Sequence, residues 1–264
     1  MQPPPLITYA NVRKCFPTPA GAVVAVDDVS LEIAEGEFLA IVGGSGSGKT
    51  TLLRLTNRLI EPDGGTIRIA GEDISRIDPV GLRRRIGTVF QNGALFPHMT
   101  IAANIGITPR LLGTPPGEIA TRVDELLDLV QLDRTEHRDR LPHELSGGQR
   151  QRVGVARALA AAPHIVLMDE PFGALDPLTR DALGGDYRAL HDKLALTTIM
   201  ITHDITEALL LADRIAVMRG GRLVEAGPPA AVATSQEPYV AELMTTPRRQ
   251  AARLAALLPG SGTA

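Results

Sequence analysis

Residues 43–50 read Gly43-Gly44-Ser45-Gly46-Ser47-Gly48-Lys49-Thr50, a spacing of glycines, lysine and hydroxyl suited to holding a polyphosphate. Glycines at 43, 44, 46 and 48 let the backbone turn its N–H groups inward around phosphate oxygens, where side chains would clash. Lys49 can reach the outer phosphates as a point charge, and the Thr50 hydroxyl suits a magnesium position. Lys49 is one of only three lysines, with Lys14 and Lys193, in a chain that otherwise uses arginine, which argues against an incidental lysine. Thr51 opens the helical run that follows and belongs with the loop. A second candidate is Ile165-Val166-Leu167-Met168-Asp169-Glu170, an apolar run ending in two acids. Buried strands often end in a carboxylate, so alone it says little. Beside a phosphate loop, Asp169 at a strand tip can hold magnesium directly or through water, and Glu170 can polarise a water attacking the γ-phosphate in line. A third is Leu145-Ser146-Gly147-Gly148-Gln149, just before a helical stretch over 150–161. Ser146 can cap that helix while Gly147 and Gly148 leave N–H groups exposed at its positive end, a second anion site.

Positioning these groups requires strands that end where the chemistry begins. Short β-type runs alternate with helical ones, the signature of a mainly parallel sheet flanked by helices. Strands are predicted at 23–26, 29–33, 38–42, 66–69, 86–90, 165–168, 198–201, 215–218 and 222–225, with a helix over 51–59 after the glycine loop. Between 91 and 162 no strand is evident, and Val123, Leu126, Leu127 and Val130 fall at helical spacing. The predicted division is a core of residues 1–90 plus 163–227, a helical insertion over 91–162 and a helical tail over 228–264. In the tail, Leu254, Leu257 and Leu258 form an apolar stripe, and 259–264 are expected to fray.

Composition narrows the function classes. The chain has 264 residues, 44% of them hydrophobic and 22% charged, as in an ordinary globular protein, and its apolar stretches are far shorter than the roughly 20 residues of a membrane span. Its start, MQPPPLITYA, lacks the pattern of a secretory signal, so a cytoplasmic location is expected. Cys15, the single cysteine, excludes an intrachain disulfide and a cysteine-built metal site. A net charge of −3 gives no basic footprint for nucleic acid. The run Arg83-Arg84-Arg85 has no interleaved aromatics and reads as a solvated helix face rather than a nucleic-acid patch.

The Leu-Ser-Gly-Gly-Gln segment at 145–149, behind the phosphate loop and ahead of the strand ending in Asp169-Glu170, resembles the signature of the ATP-binding subunits of ABC transporters. The resemblance runs from about 7 to 243. It implies an α/β P-loop NTPase with a RecA-like parallel-sheet core, an antiparallel β subdomain and an inserted helical subdomain, binding ATP and Mg2+. It assigns catalytic roles to Lys49, Glu170, Gln91 and His203: Gln91 at the Q-loop contacts magnesium or water, and His203 is the switch histidine that touches the γ-phosphate. Phe16 matches the aromatic that stacks on adenine, although an aromatic there could simply pack in the core. Gly173-Ala174-Leu175-Asp176 resembles the D-loop, and the resemblance implies that Ser146, Gly147, Gly148, Gln149 and Asp176 act in trans on the ATP of a second subunit, expected to be a copy of this chain.

Within that family, Asn57-Arg58-Leu59-Ile60-Glu61-Pro62, Leu95-Phe96-Pro97-His98-Met99-Thr100 and Pro142-His143-Glu144 look like importers of osmoprotectants and quaternary amines such as glycine betaine, choline, carnitine or proline. The resemblance implies a transmembrane permease met through 91–105, an indirect solute-binding protein, and a place on the inner face of the membrane. Leu95, Phe96, Pro97 and Met99 would supply the permease patch, unless they pack within the helical lobe. An exporter is the alternative within transport. DNA-repair ATPases would carry long coiled coils or zinc-binding cysteine clusters, and translation ATPases two motif sets. Two departures stand out: Gly44 replaces a proline common in that loop, and Gly184-Gly185 sit inside an expected helix at about 1 kcal/mol each relative to alanine. The residues after Gly227 are too few for the paired CBS domains that many osmoprotectant ATPases carry, so ionic-strength sensing by such a module is not expected.

Overall fold

The computed structural model of the chain describes residues 5–19 and 21–257, and among them the strands form two sheets. The first is antiparallel and four-stranded. It is built from β1 (Ile7–Thr18), β2 (Gly21–Ile33), β4 (Gly64–Ile69) and β5 (Glu72–Asp73) in the order β2-β1-β4-β5. The second holds β3 (Phe38–Val42), β6 (Ile86–Val89), β7 (Ile165–Asp169), β8 (Thr197–Thr202), β9 (Arg214–Arg219) and β10 (Arg222–Gly227). Its order is β10-β9-β3-β8-β7-β6, parallel throughout except for the β9–β10 hairpin.

Every residue of β3 and β8 is buried, as expected of parallel strands covered on both faces. The pleat sends Phe38, Ala40 and Val42 into one apolar cluster and Leu39 and Ile41 into the other. The second cluster lies beneath the antiparallel sheet and α1 (Lys49–Thr56), whose Leu52, Leu53 and Leu55 are buried. The first is covered by helices. Between β6 and β7 the described elements are helical: α3 (Ile101–Ile105), α4 (Ile107–Leu111), α5 (Pro116–Leu129), α6 (Arg134–His137) and α7 (Gly147–Leu159), with short 3-10 turns. The short α2 (Pro79–Arg84) precedes β6. Beyond β7 come α8 (Pro177–Leu194), α9 (Ile205–Leu211), α10 (Pro229–Ala233) and α11 (Pro238–Leu257).

Two differences from the sequence reading share one cause. β1 escapes the period-2 pattern because Asn11 adopts φ 51° and the register shifts between Tyr9 and Val12, so the buried residues run Ile7, Tyr9, Val12. β2 is one strand where two segments are predicted, because Asp28, at φ 56°, is a bulge and not a turn. The two irregularities face each other, with Asn11 Nδ2 donating to Asp28 Oδ1 at 2.8 Å. The helices over 51–59 and 150–161 instead span Lys49–Thr56 and Gly147–Leu159. Gly184 and Gly185 do lie within α8. A Cβ at Gly184 would press Leu211 of α9 at 3.3 Å, so the first glycine permits close helix packing, while nothing within 4 Å explains the second. The side chains of Leu254, Leu257 and Leu258 and the whole of 259–264 lie outside the described residues.

Candidate functional site

The glycine loop joins the buried end of β3 to α1, and two of its positions admit only glycine. Gly43 has φ 155° and Gly48 φ 101°; a Cβ on the first would overlap the Met218 carbonyl oxygen, and on the second that of Ala25. Gly48 occupies the cap position of α1, whose first N–H groups receive no side-chain cap and meet no acidic residue in the first turn. They therefore remain available to an anion at the positive end of the helix dipole. Lys49 is buried, its Nζ donating to the carbonyl oxygens of Gly43 at 2.7 Å and Gly44 at 3.1 Å. Burial lowers its pKa, while the nearby carboxylates of Glu170 and Asp169 pull it back up. Ser45 and Gly46 form the exposed tip of the loop, Ser47 is buried beneath it, and Thr50 and Thr51 lie half-buried in the first turn of α1.

β7 ends at Asp169, opposite Ile201 of β8, and β8 alone separates it from β3. Burial raises the pKa of Asp169, with Arg54 and Lys49 opposing and Glu170 adding. Glu170 is left-handed at φ 46°, a strained conformation for a non-glycine residue, and its N–H donates to the Ile201 carbonyl at 3.0 Å. Its Oε2 lies 3.4 Å from Nδ1 of His203, which follows the end of β8. A Cβ placed on Gly173 would be 3.6 Å from His203 Cε1, 3.7 Å from the Glu170 carbonyl oxygen and 3.8 Å from Gln91 Nε2. Gln91, Glu170, Gly173 and His203 thus surround one point at the end of adjacent strands. Thr202 donates to Glu207 Oε2 at 2.7 Å, and the Asp204 carboxylate caps α9 by accepting from Thr206 N–H, fixing the backbone on either side of His203. Thr202 and Glu207 carry no sequence signal of this role beyond their nearness to His203.

The capping segment sits elsewhere. Ser146 Oγ accepts from Gln149 N–H at 3.2 Å, and Gln149 Oε1 accepts from Ser146 N–H at 2.9 Å, a reciprocal cap on α7. Gly147 and Gly148 adjoin Leu175, Thr179 and Leu183; among the described residues this segment makes no hydrogen bond to residues 43–51. Asp176 is exposed and caps α8 through Oδ1, accepting from Thr179 N–H at 3.1 Å. α7 is also fastened to the turn that carries Gln91. Arg157 donates to the carbonyls of Ala94 at 2.9 Å and Gly93 at 2.7 Å, and Gln151 to that of Phe90 at 3.3 Å. Phe16 is 37% exposed, outside both apolar clusters, with Lys14 Nζ 5.6 Å from its ring centre.

A groove beside this turn is lined by Arg83, Arg84, Phe90, Phe96, Leu111 and Arg157. Of the predicted surface patch, Phe96 is 42% exposed, whereas Leu95 packs against the apolar cluster. Among the described residues no helix is long and apolar enough to cross a membrane, and no three His, Cys, Asp or Glu side chains are placed to hold a metal by themselves.

A family model described as ABC transporter matches residues 26–173. The chain belongs to the ABC transporter family. It is 51% identical over 224 residues to the choline transport ATP-binding protein OpuBA of Bacillus subtilis, a match covering 85% of this chain and 58% of OpuBA. To the glycine betaine uptake system ATP-binding protein YehX of Escherichia coli it is 48% identical over 229 residues, covering 87% and 73%. The chain thus spans little more than half the length of OpuBA. A solved dimeric ATP-binding cassette in a post-hydrolysis state, bound to ADP and phosphate, matches with TM-score 0.76 and 33% identity over 84% of this chain and 98% of that one. The fold is accordingly that of the ABC ATPases, a parallel-sheet P-loop core with an antiparallel sheet and helices.

Proposed function

We propose that this chain hydrolyses ATP with magnesium as the motor subunit of an importer for osmoprotectants or quaternary amines such as glycine betaine or choline. The observation that carries the chemistry is the convergence of Gln91, Glu170 and His203 around Gly173, one strand away from the glycine loop and the start of α1, whose first N–H groups receive no side-chain cap. The loop suits the phosphates of ATP because Gly43 and Gly48 leave room that a Cβ would fill. The oxygen donors Thr50 and Asp169 suit a hard cation, and their small number fits magnesium, which completes its shell with phosphate oxygens and water. Bound there, magnesium would neutralise charge on the phosphates. Glu170 orients and polarises the attacking water, His203 donates to the outer phosphate, Gln91 contacts the water or the cation, and Lys49 swings from the loop carbonyls to the phosphates. Phe16 presents its exposed ring to the adenine.

The uncapped helix start at α1 is one half of the site. Ser146, Gly147, Gly148 and Gln149 of a second copy supply the other, and Asp176 joins them through Oδ2, its Oδ1 being engaged in capping α8. ATP held between two copies favours closure, and loss of the γ-phosphate weakens the bridge. The arginine fastening of α7 to the Gln91 turn would carry that motion to the groove around Phe96, where a permease segment docks. The names of OpuBA and YehX support the solute class. The test is co-expression with candidate permeases and measurement of ATP turnover in vesicles. Turnover stimulated by a solute-binding protein loaded with choline or glycine betaine is expected; stimulation that ignores these solutes would reject the substrate reading.

A further inference from the structure

The second residue of the glycine loop is tied to the other end of the chain. Gly44 N–H donates to the hydroxyl of Tyr239 at 2.9 Å, across 195 residues of sequence. Tyr239 stands in the first turn of α11, which is anchored by buried Val240 and Met244 and packs on α9, the helix that follows His203. The guanidinium of Arg219, the last residue of β9, lies 4.7 Å over the Tyr239 ring, a cation–π contact that restrains the phenol. A Cβ on Gly44 would touch the phenol oxygen at 3.4 Å, so the loop and the helix are in direct contact.

We propose that Tyr239 is a positioning residue for the phosphate loop, holding it in its anion-binding shape through the Gly44 N–H and thereby coupling α11 to nucleotide affinity. The physical reason is entropy. A loop with glycines at 43, 44, 46 and 48 samples many conformations, and ordering it on binding is costly. Water could satisfy an exposed N–H, but it could not tether the loop. A phenol fixed by a cation and a helix can, and pre-organisation of this kind strengthens binding. The bond engages the Gly44 N–H alone and leaves the start of α1, which has no side-chain cap, to the phosphates.

This inference rests on the ATP-binding reading, and one experiment separates the two. Affinity for a fluorescent ATP analogue with magnesium, ATPase KM and kcat, and the nucleotide-free melting temperature are measured for the full chain and for Tyr239→Phe, which keeps the ring over Arg219 and removes the hydroxyl. Expected are affinity weaker and KM higher by about threefold to tenfold, the scale of one net hydrogen bond, with kcat unchanged and the melting temperature lowered by at most about 4 °C. In a Gly44→Pro background, which lacks the donor, Tyr239→Phe should change nothing further. Unchanged affinity in Tyr239→Phe, or an equal loss in the Gly44→Pro background, overturns the proposal while leaving ATP binding intact. Failure of the unsubstituted chain to bind the analogue overturns both.

Discussion

Alanine at Gly48 and at Gly46 should damage the loop to different degrees, because the two glycines are required for different reasons. At Gly46, φ is 75° and nothing lies within 4 Å of a built Cβ, so an alanine there meets only the left-handed penalty of about 1–2 kcal/mol. At Gly48, φ is 101° and the Cβ would overlap the backbone oxygen of Ala25 on β2, adding an overpacking cost of about 1–3 kcal/mol. The sum for Gly48→Ala, about 2–5 kcal/mol, falls on the conformation that presents the first N–H groups of α1. The loop can escape this strain by moving off Ala25, so melting of the nucleotide-free chain should drop less than binding does. Titration with a fluorescent ATP analogue should show an affinity loss of about fivefold to thirtyfold for Gly46→Ala and at least about thirtyfold for Gly48→Ala. Equal losses, or a larger loss at Gly46, would refute the argument that contact with β2 sets the loop's shape.

Asp169→Asn should make ATP affinity nearly independent of magnesium, checked by titration with and without EDTA. The same change should raise the melting temperature of the nucleotide-free chain, since it removes a half-buried charge that Glu170 repels. Thr202→Val should cost about 1–3 kcal/mol by leaving the buried Glu207 carboxylate without its hydroxyl donor. Burial already raises the pKa of Glu207, so its folded form favours the proton and its contribution to stability falls as pH rises above the ordinary carboxylate range. Losing Thr202 raises that pKa further, so thermal melts should show the largest deficit at neutral pH and a shrinking one toward pH 4. If the groove around Phe96 receives a permease segment as proposed, Phe96→Asp should abolish co-purification with a co-expressed permease while leaving ATP affinity within about twofold, because Phe96 lines the groove and not the glycine loop.

Much of the site is readable in one dimension because its parts stand at the ends of apolar runs. The glycine loop follows a strand buried along its whole length, and Asp169 closes another strand two places away in the same sheet. Glycine spacing is legible because the backbone demands it, as Gly43 and Gly48 show. The elements that break a period are not. β1 hides its strand character behind the bulge at Asn11, and the bulge at Asp28 looks like a turn. Contacts across long sequence separations leave no local trace. Tyr239 is an ordinary tyrosine in an amphipathic helix until the fold carries it to Gly44, and Arg157 is one arginine among many until it meets the carbonyls of Gly93 and Ala94. The strained backbone at Glu170, left-handed in a residue with no glycine-like freedom, is visible only in three dimensions.

The central claim is that two copies of this chain close around ATP and that Glu170, 3.4 Å from His203, then drives hydrolysis. Glu170→Gln tests both halves in one measurement of mass by light scattering during size exclusion, with phosphate release followed in parallel. The account predicts that magnesium and ATP convert the variant to a stable dimer, that ADP does not, and that turnover falls at least about a hundredfold. A variant that stays monomeric with ATP, or that releases phosphate at a near-normal rate, would contradict it.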